Sequence, residues 1–578
     1  MEIIQLLLEN GATPDLRNNV GENCLHIACR NENLSKPVVE LLVKKGTLIN
    51  ARNGFGENYL HLLCKNRKVE SSLLQFMTSR NIEVNVRNNH GDAPINLLCS
   101  NEKIGLDCLL VLLKSGAWPN NKNNLGQNAL HMVCSSKRID SEVVKTLLEY
   151  GADANSKNIA SETPLANACS NENVEPEIIK ALIDKGANPD LSDKYGRTSL
   201  CILCSNPKVK LDVVKLFVSE GSDLKSKSLD GRSVLHYACE NKNLSLEVIQ
   251  YLLESKCSPN EACNNGRTCT HLLVSHPNVN IDVLTLMTEK GGDLNLADKD
   301  GRTCSHLLSE NPSVTTDMMN VVVKKGGDVN LLDHSSISVL HIASLNKSAK
   351  PGLIKLLLES GNNANLNDKD EWTPLHYATA KGVNVETIRA LLEGGADPNL
   401  KNKSEGKAPL HYVLENGDNL EAVNILLEYG ANPNVKDKRE RSCLHYLLES
   451  ESVSFDILKT LIKSGANPNA RDYIYGQTAL HTAVSNKSVS LEMVSYLLEN
   501  RADANIYNVW GKLAVEGATN PMVRNLLLSK MSAPKSFEEE LRKIESEQME
   551  FQQKIPQKKQ TSQVEFEFEL LFDSRDNL

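Results

Sequence analysis

The sequence predicts an all-α repeat solenoid, a stack of short helix pairs, and three observations carry that reading. The stretch from Leu25 to Asn53, "LHIACRNENLSKPVVELLVKKGTLINARN", returns from Leu60 to Asn88 as "LHLLCKNRKVESSLLQFMTSRNIEVNVRN". Its leading residue recurs at Leu25, Leu60, Ile95, Leu130, Leu165, Leu200, Leu235, Thr270, Ser305, Leu340, Leu375, Leu410, Leu444 and Leu480, a period near 35 residues of the kind that marks a solenoid or an array. Aromatic residues are 4% of the chain and charged residues 24%, so the core is aliphatic and thin, which suits stacked helices.

Each element has its own signal. From Ser233 to Lys256 the positions Leu235, Ala238 and Cys239, then Val248, Ile249, Leu252 and Leu253, carry the i, i+3, i+4 spacing of two amphipathic helices. Helices this short are marginal alone, so neighbouring units must supply the burial. Two residues before the leading position stands Ser, Thr or Asn, with Ala93 and Ala408 the exceptions; these are N-cap residues. Pro94, Pro164, Pro374 and Pro409 follow, where a missing N–H costs nothing. Gly46, Gly116, Gly151, Gly186 and Gly221 close the second helix, as a left-handed C-terminal cap requires. Asn81, Lys256 and Arg501 take that place elsewhere, and the last two are expected to strain their turns by roughly 1 kcal/mol each.

The stretch "WTPLHYATAKGVNVETIRALLEGGADPNLKN", from Trp372 to Asn402, resembles an ankyrin repeat: Thr373-Pro374-Leu375-His376 matches the motif that opens the first helix, and Gly395-Ala396-Asp397-Pro398-Asn399 the turn after the second. The resemblance covers residues 1–530 in about fifteen units. It implies two antiparallel helices per unit and a β-hairpin finger, stacked with a concave side. One departure is systematic: the period is 35 residues instead of the family's usual 33, with an Asn-rich loop such as "CRNENLSKP" between the helices.

The ends differ from the middle. Residues 1–10 read as a second helix whose first is missing, leaving Ile3, Ile4, Leu7 and Leu8 on an uncovered stack end, where a polar cap is expected; the expectation is an incomplete first repeat or a separate cover. "VWGKLAVEGATNPMVRNLLLSK", from Val509, resembles a degenerate last repeat. Residues 531–578 read as a charged helical or disordered tail; from Lys535 it holds 7 basic and 11 acidic residues, a net −4. Gln557 to Gln563 reads as a linker, and "VEFEFELLFDSRDNL" weakly resembles the lead-in to a BTB oligomerisation domain.

A net charge of −9 argues against nucleic acid as the partner, because that work needs a dominant basic face. The chain opens "MEIIQLLLENGATPD", without a signal peptide, and holds fifteen cysteines; free thiols in a reducing, cytoplasmic interior are expected. No apolar run approaches the ~20 residues of a membrane span.

His26/Cys29, His61/Cys64, His131/Cys134 and His236/Cys239 repeat a His-x-x-Cys spacing, and Cys99, Cys169 and Cys204 extend the thiol ladder. Metal ligation is rejected: adjacent helices stand ~8–10 Å apart, too far to share an ion with ~2.0–2.3 Å bonds. Val274, Leu414, Leu448 and Val484 also occupy the Cys place. The thiols read as small hydrophobes. Eleven histidines share one place in the unit, too many for catalysis, and the resemblance implies that they hydrogen-bond within and between repeats. No phosphate loop, nucleophile elbow or carboxylate pair stands out, so neither an enzyme, a cofactor nor a small-molecule substrate is expected.

The finger tips carry the binding expectation. Arg17, Arg52, Arg87, Lys122 and Lys157 fall at 35-residue spacing, Ser192 interrupts, and Lys227 resumes. Asn18, Asn53, Asn88, Asn123 and Asn158 follow the first five, whereas Asp193, Asp298, Asp333, Asp368, Asp437 and Asp472 take that place later. Asn and Asp are interchangeable turn formers; the sharper reading is a polarity along the array, with a basic stripe on the concave side that docks an acidic partner segment. Phe55, Tyr195, Trp372, Tyr473 and Tyr475 are candidate aromatic anchors. The expected function is a non-enzymatic protein-interaction scaffold. The alternative is the substrate-recruiting arm of a regulatory assembly, such as a BTB-linked ubiquitin-ligase adaptor; a membrane-skeleton linker is a third.

Overall fold

The computed structural model describes residues 2–531 except Ile104, Lys381, Val383, Asn384 and Asp418. The tail predicted over 531–578, with its linker and BTB-like segment, lies outside the described residues from Ser532 onward. Among the described residues, helix Glu2–Glu9 is followed by fifteen helix pairs, the first Cys24–Arg30 with Lys36–Lys44 and the last Ala514–Gly517 with Pro521–Lys530. Repeats are numbered below by pair, so Leu25 stands in repeat 1 and Leu480 in repeat 14. Each repeat runs finger, inner helix, loop, outer helix.

The chain divides into two compact units. The first comprises residues 1–307 with 325–327, and the second residues 308–324 and those from 328 on. Within each unit, inner helices pack on inner helices of adjacent repeats and outer on outer. The inner helix Val234–Cys239 is buried at every residue. The outer helix Leu246–Glu254 buries only Val248, Ile249, Leu252 and Leu253, the stripe its sequence predicts. At about 2 kcal/mol for each such side chain, burial against neighbours supplies what a nine-residue helix lacks by itself.

The caps are where the sequence puts them. Asn23 Oδ1 accepts from the His26 N–H at 3.1 Å and Thr163 Oγ1 from Ala166 N–H at 3.2 Å. At Ala93 and Ala408, which have no capping oxygen, the third helical residue reaches back instead: Asn96 Oδ1 takes the Ala93 N–H at 3.0 Å, and His411 Nδ1 the Ala408 N–H at 3.0 Å. The C-terminal turns hold positive φ at Gly46 (97°) and Gly116 (86°), and equally at Asn81 (58°), Lys256 (68°) and Arg501 (70°).

The fingers depart from the hairpins that the resemblance implies. Among the described residues they contain only isolated bridges, Ala262 with Thr268, Leu332 with Ser338, Lys436 with Ser442 and Tyr507 with Leu513. A side chain replaces the ladder: Asn53 Oδ1 accepts the N–H groups of Phe55 and Glu57, both at 3.0 Å. Successive fingers are joined sideways by single backbone bonds, as from Asn89 N–H to Phe55 O at 2.9 Å and from Leu229 N–H to Tyr195 O at 2.8 Å.

The Asn-rich loop also has a structural account. Asn66 Nδ2 donates to Cys29 O and Asn31 O of the preceding repeat at 3.3 and 2.9 Å. Asn101, Asn171, Asn206, Asn241 and Asn346 repeat the arrangement. Each amide closes carbonyls that an inner helix leaves open at its C-terminus. A second amide row joins the outer turns: Asn85 Nδ2 donates to Gly116 O at 2.8 Å while its Oδ1 accepts from Trp118 N–H at 2.8 Å. Helix Glu2–Glu9 buries none of its residues, and Ile3 is 75% exposed.

Candidate functional site

The repeated histidine is a structural fastener. In repeat 2, His61 Nδ1 accepts the Asn58 N–H at 3.1 Å, and Nε2 stands 3.0 Å from Asp92 O on the next finger. The backbone donor at Nδ1 places the proton on Nε2, which donates to that carbonyl. His131, His236, His271, His341, His376, His445 and His481 reach the following finger likewise. With both nitrogens engaged, these rings are not metal ligands. Burial holds them below their ordinary value, to about 4 at His61, His376 and His411. The ladder thiols are free and buried, and desolvation pushes Cys134 up to about 12. Among the described residues, no group of three His, Cys, Asp or Glu side chains is arranged to hold a metal ion.

The basic stripe is exposed at Arg17, Arg52, Arg87, Lys122 and Lys157. Arg17 Nη1 donates to Arg52 O at 2.9 Å, Lys122 Nζ to Lys157 O at 3.0 Å and Lys157 Nζ to Ser192 O at 2.9 Å. These side chains therefore lie along the row, each on the carbonyl of its successor. Arg87 Nε turns back to Gly91 O at 2.8 Å. Lys227 pairs with Glu261 at 3.4 Å. Phe55 and Tyr195 stand exposed nearby, Tyr195 beneath Lys194 and Arg197. Trp372 packs on Tyr412 and Tyr377, with ring centroids 4.9 and 5.5 Å apart. Tyr473 is partly buried, and Tyr475 stacks on Trp510 at 5.1 Å. Exposed Leu125, Ile159 and Leu229 at the same tips escaped sequence reasoning, because an exposed and a core aliphatic residue read alike.

The later aspartates do not make the later fingers acidic at their surface. Asp193 Oδ1 accepts from Tyr195 and Arg197 N–H at 2.8 and 2.9 Å, and Oδ2 from Arg197 Nε at 2.8 Å; Asp437 does the same with Arg441. Both carboxylates are buried. In the earlier fingers the matching pair is an amide and an acceptor: Asn158 Nδ2 donates to Glu162 Oε2 at 2.8 Å. At Asp193, Asp298 and Asp437 the Asn-to-Asp change is thus matched four residues on by Arg197, Arg302 and Arg441, whereas Ile337, Trp372 and Gly476 stand four residues after Asp333, Asp368 and Asp472.

That compensating residue, and not the stripe, borders the inner helices. Glu162 and Arg197 line a shallow recess of about 200 Å³ with Ala166, Ser170, Ile202 and Ser205. Reading the column gives Glu22, Glu57, Asp92, Gln127 and Glu162, then Arg197, Arg232, Arg267 and Arg302. In several repeats it is ion-paired eight residues on: Glu22 with Arg30 at 2.8 Å, Glu57 with Lys65, Arg232 with Glu240, and Arg441 with Glu449 at 3.2 Å. Sequence reasoning missed this column; the same 35-residue register that revealed the stripe contains it.

No curated protein matches the chain. Among solved structures it is similar to the ankyrin repeat domain of Bcl-3, described as a unique member of the IkappaB protein family, at 26% identity over 40% of this chain and 100% of that one, with a TM-score of 0.34. The family described as "Ankyrin repeats (3 copies)" matches residues 1–88, 60–158, 136–228, 201–298, 340–437 and 410–508. The matches leave out 299–339 and the residues after 508, yet 299–339 holds the regular pair Cys304–Glu310 and Thr316–Lys324. On a match of this extent, and on helix pairs packed in sequence order, the chain belongs to the ankyrin-repeat family.

Proposed function

We propose that the chain is a non-catalytic docking scaffold in a reducing, cytoplasmic setting, and that its N-terminal fingers take an acidic segment of a partner protein. Ankyrin repeats are in general protein-interaction modules. The observation that carries the finer reading is the row Arg17, Arg52, Arg87, Lys122 and Lys157: five exposed cations, none in an ion pair with a described residue, beside exposed Phe55, Leu125 and Ile159. Like charges held in a row orient an opposite strand and speed its arrival, and adjacent apolar tips add contact area. Among the described residues, no helix is long and apolar enough to cross a membrane.

The test is a pull-down from source-cell extract, read by mass spectrometry, with the wild-type chain and a variant in which Arg17, Arg52, Arg87, Lys122 and Lys157 are changed to Glu. The expected outcome is a partner captured by the first and lost by the second, whose affinity falls steeply with added salt. Equal capture by both baits excludes the stripe as the recognition surface.

A further inference from the structure

The finger column that faces the inner helices is a set of ion pairs, some of them half-built. In repeat 2, Glu57 takes Asn53 Nδ2 on Oε2 and Lys65 Nζ on Oε1. Glu162 in repeat 5 has the same finger-side bond, Asn158 Nδ2 on Oε2, but the residue in the place of Lys65 is Ser170. In repeat 13, Arg441 gives Nε and Nη2 to Asp437 and Nη1 to Glu449. Arg197 in repeat 6 gives Nε and Nη2 to Asp193, but the residue in the place of Glu449 is Ser205. Ser170 and Ser205 are exposed, their hydroxyls turned onto the carbonyls of their own helices, Asn167 O and Ile202 O, at 2.8 Å. Repeat 3 shows the same lack: the column residue is Asp92, and eight residues on the helix offers Ser100.

We infer that repeats 3 to 6 form a docking window for an extended partner segment that supplies the missing half-pairs, a basic side chain to Glu162 and a carboxylate to Arg197. The inference rests on the scaffold reading and names a second surface for it. The chain itself shows what fills each place, because its closed repeats use Lys65 on a glutamate and Glu449 on an arginine. The recess floored by Ala166, Ser170, Ile202 and Ser205 is where those long helix side chains are absent. Adjacent repeats stand about 8–10 Å apart and an extended chain rises about 3.3 Å per residue, so successive repeats meet every third residue. The segment therefore carries Lys or Arg opposite Asp92, any residue three further on opposite Gln127, Lys or Arg opposite Glu162, and Asp or Glu opposite Arg197.

The probe is a fluorescein-labelled peptide with that Lys, Lys, Glu spacing in a Gly-Ser background, titrated with the full chain and read by fluorescence anisotropy. Saturable binding is expected, with a scrambled peptide of equal composition weaker by about tenfold or more. Ser170→Lys and Ser205→Glu, which close the window from within as repeats 2 and 13 do, are each expected to remove most of the binding while circular dichroism stays unchanged. Glu162→Lys is expected to restore it for a peptide with Glu at the matching position. No binding, equal binding of the scrambled peptide, or indifference to Ser170→Lys overturns the window. Extract partners that are retained by the Ser170→Lys bait and lost with the reversed stripe leave the scaffold reading standing without it.

Discussion

At the residue scale, the most telling positions are those whose backbone contradicts their side chain. Among the described residues, seven that are not glycine hold φ between 58° and 70°: Asn81, Ser161, Lys256, Ser336, Glu371, Glu440 and Arg501. Lys256 and Arg501 stand where other repeats end an outer helix on glycine, while Ser161, Ser336, Glu371 and Glu440 stand where other fingers have one. Left-handed backbone costs a residue with a Cβ roughly 1 kcal/mol or more, so Lys256→Gly and Glu440→Gly are each expected to stabilise their repeat by about 1 kcal/mol. Slower amide exchange in the flanking helices checks it. At Gly196 the demand is also steric, since a Cβ there would meet Leu229 N at 2.8 Å; Gly196→Ala is expected to speed exchange around that finger.

The histidines set a pH limit by the same local chemistry. Their folded-state values lie below 6.5, to about 4 at His61, His376 and His411, because burial disfavours the imidazolium. Below about 6.5 the unfolded chain binds protons that the folded chain refuses. Their contribution to stability is therefore undiminished above pH about 6.5 and is lost as pH falls toward about 4. Asp472, raised by burial to about 6, and Glu449, also raised by burial, run the other way, but two carboxyls are set against many rings. The expected outcome is a thermal midpoint that falls steeply between those limits, and His376→Asn is expected to make the fall shallower.

At the element scale, helices of six to nine residues persist because side chains close their ends across repeats. Asn206 donates to Cys169 O and Asn171 O, both at 3.0 Å, and accepts the Lys208 N–H at 3.0 Å. Asn206→Ala leaves those groups without their partner, at a cost of about 1–3 kcal/mol. Asn206→Asp is expected to be worse, since it sets a carboxylate against two carbonyl oxygens. Urea denaturation with amide exchange resolves the two, and protection is expected to fall first in repeats 5 and 6. The loop's Asn content was visible in the sequence from the start. Its purpose was not, because the carbonyls it closes lie 35 and 37 residues away and become neighbours only once repeats stack.

At the scale of the whole molecule, period, caps and helix stripes were legible because each is local: a cap bonds three residues away, an apolar stripe recurs at fixed spacing, and a 35-residue register needs no coordinates. The stripe from Arg17 to Lys157 was legible for the same reason, as was the turn-forming role of Asn and Asp. The later aspartates misled, because a carboxylate in sequence has no direction; turned inward onto Arg197 or Arg441, it adds no surface charge. Hairpin fingers likewise followed from the resemblance, and side-chain acceptors replaced their ladders. The sequence by itself determined the repeat, the helix pairs and the burial of the Leu-His face, since one copy cannot bury its own apolar side. Only the tertiary structure decided which finger residue lines the inner helices, which ion pairs are complete, and which of two 35-residue rows is exposed. Those facts depend on the direction of side chains at positions that share one period.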